Sequence, residues 1–133
     1  MHKPDFDHCH HVYRPELAHA ADVIDIADSD EYFCGLIYLC AQWGVDRNIT
    51  RQGGASAFSQ MKKLQEELTE LRDALIVEND KKVVDGIGDM LVVLIQVCRL
   101  SGITLTEALE AAWNDIKDRK GKMVDGVFVK EVE

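Results

Sequence analysis

Apolar residues recur at helical spacing along most of this chain, and the breaks between the stripes fall at polar or glycine-rich stretches. Phe33, Leu36, Ile37, Cys40 and Trp43 form one stripe, which predicts a first helix from about Asp30 to Gly44, with Gly44 as its stop. Val45 to Gly54 contains Arg47, Asn48, Arg51 and a Gly-Gly pair, and reads as a loop. A second helix is expected from about Ala55 to Val77, built on Phe58, Met61, Leu64, Leu68, Leu71 and Leu75. Glu78-Asn79-Asp80 reads as a turn, with Asn79 or Asp80 capping a third helix from about Lys81 to Leu100. That helix is apolar nearly all round after Met90, which places it at the centre of a bundle, and Ser101-Gly102 fits its end. Thr104-Leu105-Thr106-Glu107 is a capping-box pattern opening a fourth helix to about Lys120. The tail from Lys122 to Lys130 alternates around Asp125-Gly126, the pattern of a small hairpin or extended arm. The expected architecture is all-α, a four-helix bundle with a short C-terminal appendage.

Residues 1–28 lack such periodicity and form an irregular extension ahead of a single helical domain, residues 29–133. The extension holds all five histidines, His2, His8, His10, His11 and His19. His8-Cys9-His10-His11 has the ligand types of a transition-metal site, set against the simpler reading of a polar terminus. Glu16 and His19 make a Glu-x-x-His pair, but di-iron bundles need two such pairs and no second occurs.

With 133 residues, 47% of them hydrophobic, the chain is long enough for one real core. A formal charge of −9 argues against binding nucleic acid or an anionic membrane surface. Gln96 interrupts the longest apolar run, Met90 to Val97, which is far short of the roughly 20 residues a membrane span requires. There is no apolar signal-like start, and Cys34, Cys40 and Cys98 fall on apolar helical positions as reduced thiols would, so a cytoplasmic protein is expected.

The chemistry lies in two acidic clusters, Glu66-Glu67-Leu68-Thr69-Glu70 and Asp85-Gly86-Ile87-Gly88-Asp89. Carboxylates three or four residues apart stack on one helix face and repel, so a cation is expected between them. Mg²⁺ suits hard oxygen ligands and is commonly shared between one or two carboxylates and substrate phosphates. Asp89 also enters an apolar segment, where a bare carboxylate is expensive. The alternative is that Glu66, Glu67 and Glu70 line a solvated face.

The order Glu-Glu-x-x-Glu, then Asp-x-x-x-Asp-Met-Leu, resembles the MazG-like branch of the all-α nucleoside triphosphate pyrophosphohydrolases, and short phage-type members most of all. The resemblance spans roughly residues 40–130. It includes Trp43 with Asp46-Arg47-Asn48, Gln60 with Lys63-Leu64, Gly88-Asp89-Met90-Leu91 and Asn114-x-x-Lys117-x-Arg119-Lys120. One departure stands out: Gly86 occupies the place of the family's second-motif glutamate, leaving Asp85 as the available substitute. The resemblance implies hydrolysis of a (deoxy)nucleoside triphosphate to monophosphate and pyrophosphate with Mg²⁺, for which Mn²⁺ can substitute.

On that basis Glu67, Glu70 and Asp89 are the metal ligands, joined by Asp85. Glu66 either completes a second metal site or serves as general base. Lys63, Lys117, Arg119 and Lys120, with Asn114, would hold the triphosphate. Trp43 would stack on a base, with Arg47 or Asn48 reaching sugar or phosphate. Trp43 also suits a core or interface anchor, and the C-terminal cations suit a helix end. Gln60 is left outside the site. The resemblance and the exposed apolar surface of so small a bundle both imply a homodimer or homotetramer. The competing readings are the related phosphoribosyl-ATP pyrophosphohydrolase and a non-catalytic acidic helical protein that binds a cation or a partner.

Overall fold

The computed structural model describes residues 30–132. The histidine-rich segment and the Glu16/His19 pair lie outside them. The chain runs α1 (Asp30–Asp46), α2 (Gln60–Ile76), α3 (Asp80–Leu100), α4 (Leu105–Ile116), β1 (Gly121–Val124) and β2 (Val127–Lys130). This is the all-α architecture expected, with a hairpin as the only sheet among the described residues.

Helix α3 is central. It packs most extensively on α2, then on α1, and only slightly on α4. Among the described residues Val93, Ile95 and Cys98 on α3 and Ala74 on α2 are the buried hydrophobic side chains. The α2–α3 approach is close because residue 86 is glycine: a Cβ there would stand 3.1 Å from the Leu71 Cβ. Gly86 therefore faces the helix contact.

The local signals set the element ends. Asn79 caps α3 by accepting from the Lys82 amide at 3.2 Å, and Thr104 and Glu107 form the capping box of α4. Asp125 (φ 50°) and Gly126 (φ 81°) make the two-residue turn that joins β1 to β2, pairing Val124 with Val127 and Gly121 with Lys130.

Three boundaries differ from the sequence expectation. Gly44 does not stop α1, which runs on to Asp46 and ends where Asn48 turns left-handed (φ 63°). Helix α2 begins only at Gln60, because Ser56 and Ser59 hydrogen-bond each other's backbone at 2.9 Å and close a turn of their own. Phe58 consequently lies before the helix and is 85% exposed rather than part of its apolar stripe. Helix α4 ends at Ile116, so Lys117, Arg119 and Lys120 occupy the connection to β1 instead of a last helical turn. Among the cysteines, Cys40 and Cys98 are free thiols, whereas Cys34, expected to be reduced, is disulfide-bonded.

Candidate active site

The site forms where α2 and α3 pack side by side. The three-residue step from Glu67 to Glu70 turns both toward α3, and Asp89 meets them from its third turn. Ligand oxygens of Glu67, Glu70 and Asp89 all lie within 4.8 Å of one another. Glu67 is 5% exposed, and its Oε2 is buried with no hydrogen-bond donor. Its Oε1 faces the Lys63 Nζ at 3.2 Å, one turn earlier on α2.

An orphaned carboxylate oxygen beside two further carboxylates is a costly arrangement that a bound cation would relieve. The all-oxygen donor set is that of a hard divalent ion. These residues fit a metal.

The electrostatics agree. Partial burial, then the negative charges of Glu67 and Asp85, hold the Asp89 carboxyl above the usual aspartate range, although it keeps access to solvent. The hydrogen bond to Glu67, reinforced by its charge, raises Lys63 above the usual lysine value. The lysine offsets part of the negative charge and leaves the rest for a cation.

Asp89 stands between two spaces. On one side a cavity of about 650 Å³ is lined by Leu36, Leu39, Cys40 and Trp43 of α1, Val92, Val93 and Gln96 of α3, and Ile49, Gln60, Lys63 and Glu67. On the other, an acidic cleft of about 540 Å³ is lined by Glu70, Asp73, Lys82, Asp85 and Asp89 together with Ala74, Val77 and Gly86. The carboxylates thus divide an apolar chamber from a polar one.

The structure brings some of the expected residues together and leaves others apart. Glu67, Glu70 and Asp89 form the cluster, and Lys63 and Trp43 reach the apolar cavity. Asp85 borders the acidic cleft outside the three-residue cluster. Glu66 points toward Lys63 at 3.6 Å and is well exposed. Arg47 covers the Trp43 ring at 4.7 Å and Asn48 makes the turn ending α1, and neither lines the cavity. Arg119 and Lys120 line a different surface groove with Asp115, Asp118 and Lys130, where Arg119 pairs with Asp115. Asn114 and Lys117 line neither of the two spaces beside Asp89.

Sequence reasoning missed Gln60 and Gln96, which line the cavity, and Lys82, which lines the cleft. Gln96 carried the one usable signal, a carboxamide inside the longest apolar run.

Comparison with known proteins agrees with this geometry. Neither the curated proteins nor the solved structures give a match. The model of the MazG nucleotide pyrophosphohydrolase domain matches residues 56–124, just over half the chain. That stretch carries both acidic motifs and the two helices that hold them, and the chain belongs to the MazG nucleotide pyrophosphohydrolase domain family.

Proposed function

We propose that this protein hydrolyses (deoxy)nucleoside triphosphates to the monophosphate and pyrophosphate, using Mg²⁺ held by Glu67, Glu70 and Asp89. One observation carries the reading: the carboxylate cluster sits between an apolar, tryptophan-walled cavity and a polar cleft. A nucleotide has the same division, an aromatic base at one end and a charged phosphate chain at the other. The cavity is of ordinary size for a small-molecule site.

When bound, the divalent ion would neutralise phosphate oxygens and lower the pKa of a coordinated water. The chain's own groups do the rest. Trp43 and the aliphatic wall hold the base and keep water from it. Lys63 steers Glu67 by its ion pair and offers its remaining donors to a phosphate. Asp85 adds negative charge beside Asp89 and so strengthens the site's demand for a cation. Glu66, exposed and next to Glu67 in the chain, would serve as general base for the attacking water or as a further metal carboxylate.

We further propose that the working unit is a homodimer or homotetramer, and that Asn114, Lys117, Arg119 and Lys120 act on the triphosphate bound by a neighbouring copy. Two observations support this. Few apolar side chains are buried among the described residues, while every position of the hairpin strands is exposed. The segment carrying these cations also stands apart from a site whose own surroundings are strongly acidic.

The test is pyrophosphate release from a panel of ribo- and deoxyribonucleoside triphosphates, with phosphoribosyl-ATP included, in Mg²⁺, in Mn²⁺ and in EDTA. Monophosphate plus pyrophosphate from a triphosphate, lost in EDTA, is expected. Cleavage of phosphoribosyl-ATP alone would move the protein to that reaction. Cation binding without any cleavage would leave a non-catalytic acidic module.

A further inference from the structure

Gln96 is the most buried polar side chain among the described residues, at 1% exposure. A carboxamide in a helical core must account for its polar atoms, since each left unpaired is destabilising. Its Nε2 donates to the backbone carbonyl of Cys40 at 2.9 Å, a bond from α3 to the middle of α1. Its Oε1 meets no donor. That oxygen lies against Gly44, so close that a Cβ on residue 44 would stand 1.9 Å from it. The contact is with a bare glycine Cα, the weak C–H···O kind found where helices approach closely. Cys40 and Gly44 are one turn apart, so a single carboxamide grips one turn of α1 at two points.

The grip has a consequence for the site. Helix α1 brings Leu36, Leu39, Cys40 and Trp43 to the apolar cavity, and α3 is its main packing partner among the described residues. Gln96 and Asp89 are seven residues apart on α3, two turns along the same face, and both line that cavity. Aliphatic packing alone would let α1 slide or roll, because dispersion and burial are not directional. One buried hydrogen bond to one carbonyl, fitted to one glycine, singles out a register.

We propose that Gln96 is a positioning residue, whose carboxamide latches α1 onto α3 through Cys40 and Gly44 and holds the Trp43 wall at its working distance from Asp89. As a role in nucleotide binding it rests on the function proposed above; as a latch it stands on geometry alone.

Gln96→Met keeps volume and removes both polar groups, and Gly44→Ala pushes on the carboxamide from the other side. Each is expected to raise KM for the best triphosphate about tenfold, the equivalent of one net hydrogen bond, with kcat within about twofold. Gly44→Ala placed in a Gln96→Ala background should add nothing further, since the clashing oxygen is gone. Hydrogen exchange provides a readout that needs no nucleotide. In Gln96→Met the α1 amides should exchange faster while those of α2 keep their protection. Unchanged α1 exchange, or a lowered Tm with KM intact, would overturn the proposal, and full additivity of Gly44→Ala with Gln96→Ala would do the same. Should the wild type cleave no triphosphate, the functional reading fails, and selective loosening of α1 still decides whether the latch exists. If Gln96→Met does not fold, Gln96→Glu, which keeps the shape but loses the donor to Cys40, takes its place in both measurements.

Discussion

Asp89 is held above the ordinary aspartate pKa by partial burial and by the charges of Glu67 and Asp85, and this sets the sign of its own contribution to stability against pH. A carboxyl whose folded value exceeds its unfolded value, 3.8 here, binds its proton more tightly in the folded state. Its stabilising contribution is complete below the unfolded pKa and is lost as pH rises through the folded one. In the metal-free protein ionised Asp89 is therefore a burden at neutral pH, which a bound divalent ion would relieve. The rise in Tm on adding Mg²⁺ should be larger at about pH 7.5 than at about pH 5, because ligand carboxylates must be deprotonated to bind. Equal increments in a thermal-shift assay would remove Asp89 from the metal site. Glu70→Gln tests the neighbouring ligand of the proposed site. Turnover should fall at least about a hundredfold, as when an electrostatic contact to the transition state is lost. The metal-free variant should keep its circular dichroism and melt no lower than the wild type, since a repelling charge has gone. Retained turnover would take Glu70 out of the site.

The helices and the hairpin differ in what their stability depends on. Helices α2 and α3 bury side chains against each other, whereas the hairpin strands are exposed at every position. A two-stranded hairpin in water depends on its turn and its pairing. Here Asp125 and Gly126 both take positive φ, and a β-branched residue at Gly126 is strained by about 1–2 kcal/mol. Gly126→Val should abolish exchange protection of the β1–β2 amides while leaving that of α2 and α3 unchanged; loss of protection throughout would show the hairpin to be coupled to the helical body. The same contrast explains what the sequence revealed. The Asn79 cap, the Thr104–Glu107 box and the Asp125-Gly126 turn were readable because each is a local bargain among a few adjacent residues. The carboxylates were readable because helical spacing alone brings Glu67 to Glu70, and because Asp89 opens an apolar run; that Glu67 is the buried one of the three was not readable. Gly44, Gly86 and Gln96 were not readable in role, because each is defined by a residue on another helix. Gly44 looked like a helix stop by itself and is instead the gap into which Gln96 fits. Helix ends at Gln60 and Ile116 were missed for a related reason: a Ser56–Ser59 turn and the start of a hairpin outcompeted good helix formers.

With so few buried apolar side chains among the described residues, the helical body has little to set against its conformational entropy. Leu109 and Ile116 on α4, and Met123, Val127 and Phe128 on the hairpin, add apolar surface at the end of the chain that carries the stranded cations. In the proposed assembly a second copy covers this surface and brings Lys117, Arg119 and Lys120 toward the acidic site, and that is what the next two measurements test. Light scattering at micromolar concentration should therefore give two or four times the 15.0 kDa of the chain. A monomer would count against the assembly. Whether the cations work across the interface is decided by mixing two inactive proteins, Glu70→Gln and a variant with Lys117, Arg119 and Lys120 changed to Ala. If the groups come from different copies, a mixed dimer contains one site with intact carboxylates facing intact cations. Random reassortment of equal amounts would then restore about a quarter of wild-type turnover, because half the dimers are mixed and each has one good site of two. If the groups come from the same copy, no mixture can assemble a complete site and turnover stays at the level of the inactive parents. Restoration without reassortment, seen before the oligomers are dissociated and mixed, would trace to contaminating wild type and is controlled by assaying the unmixed pair.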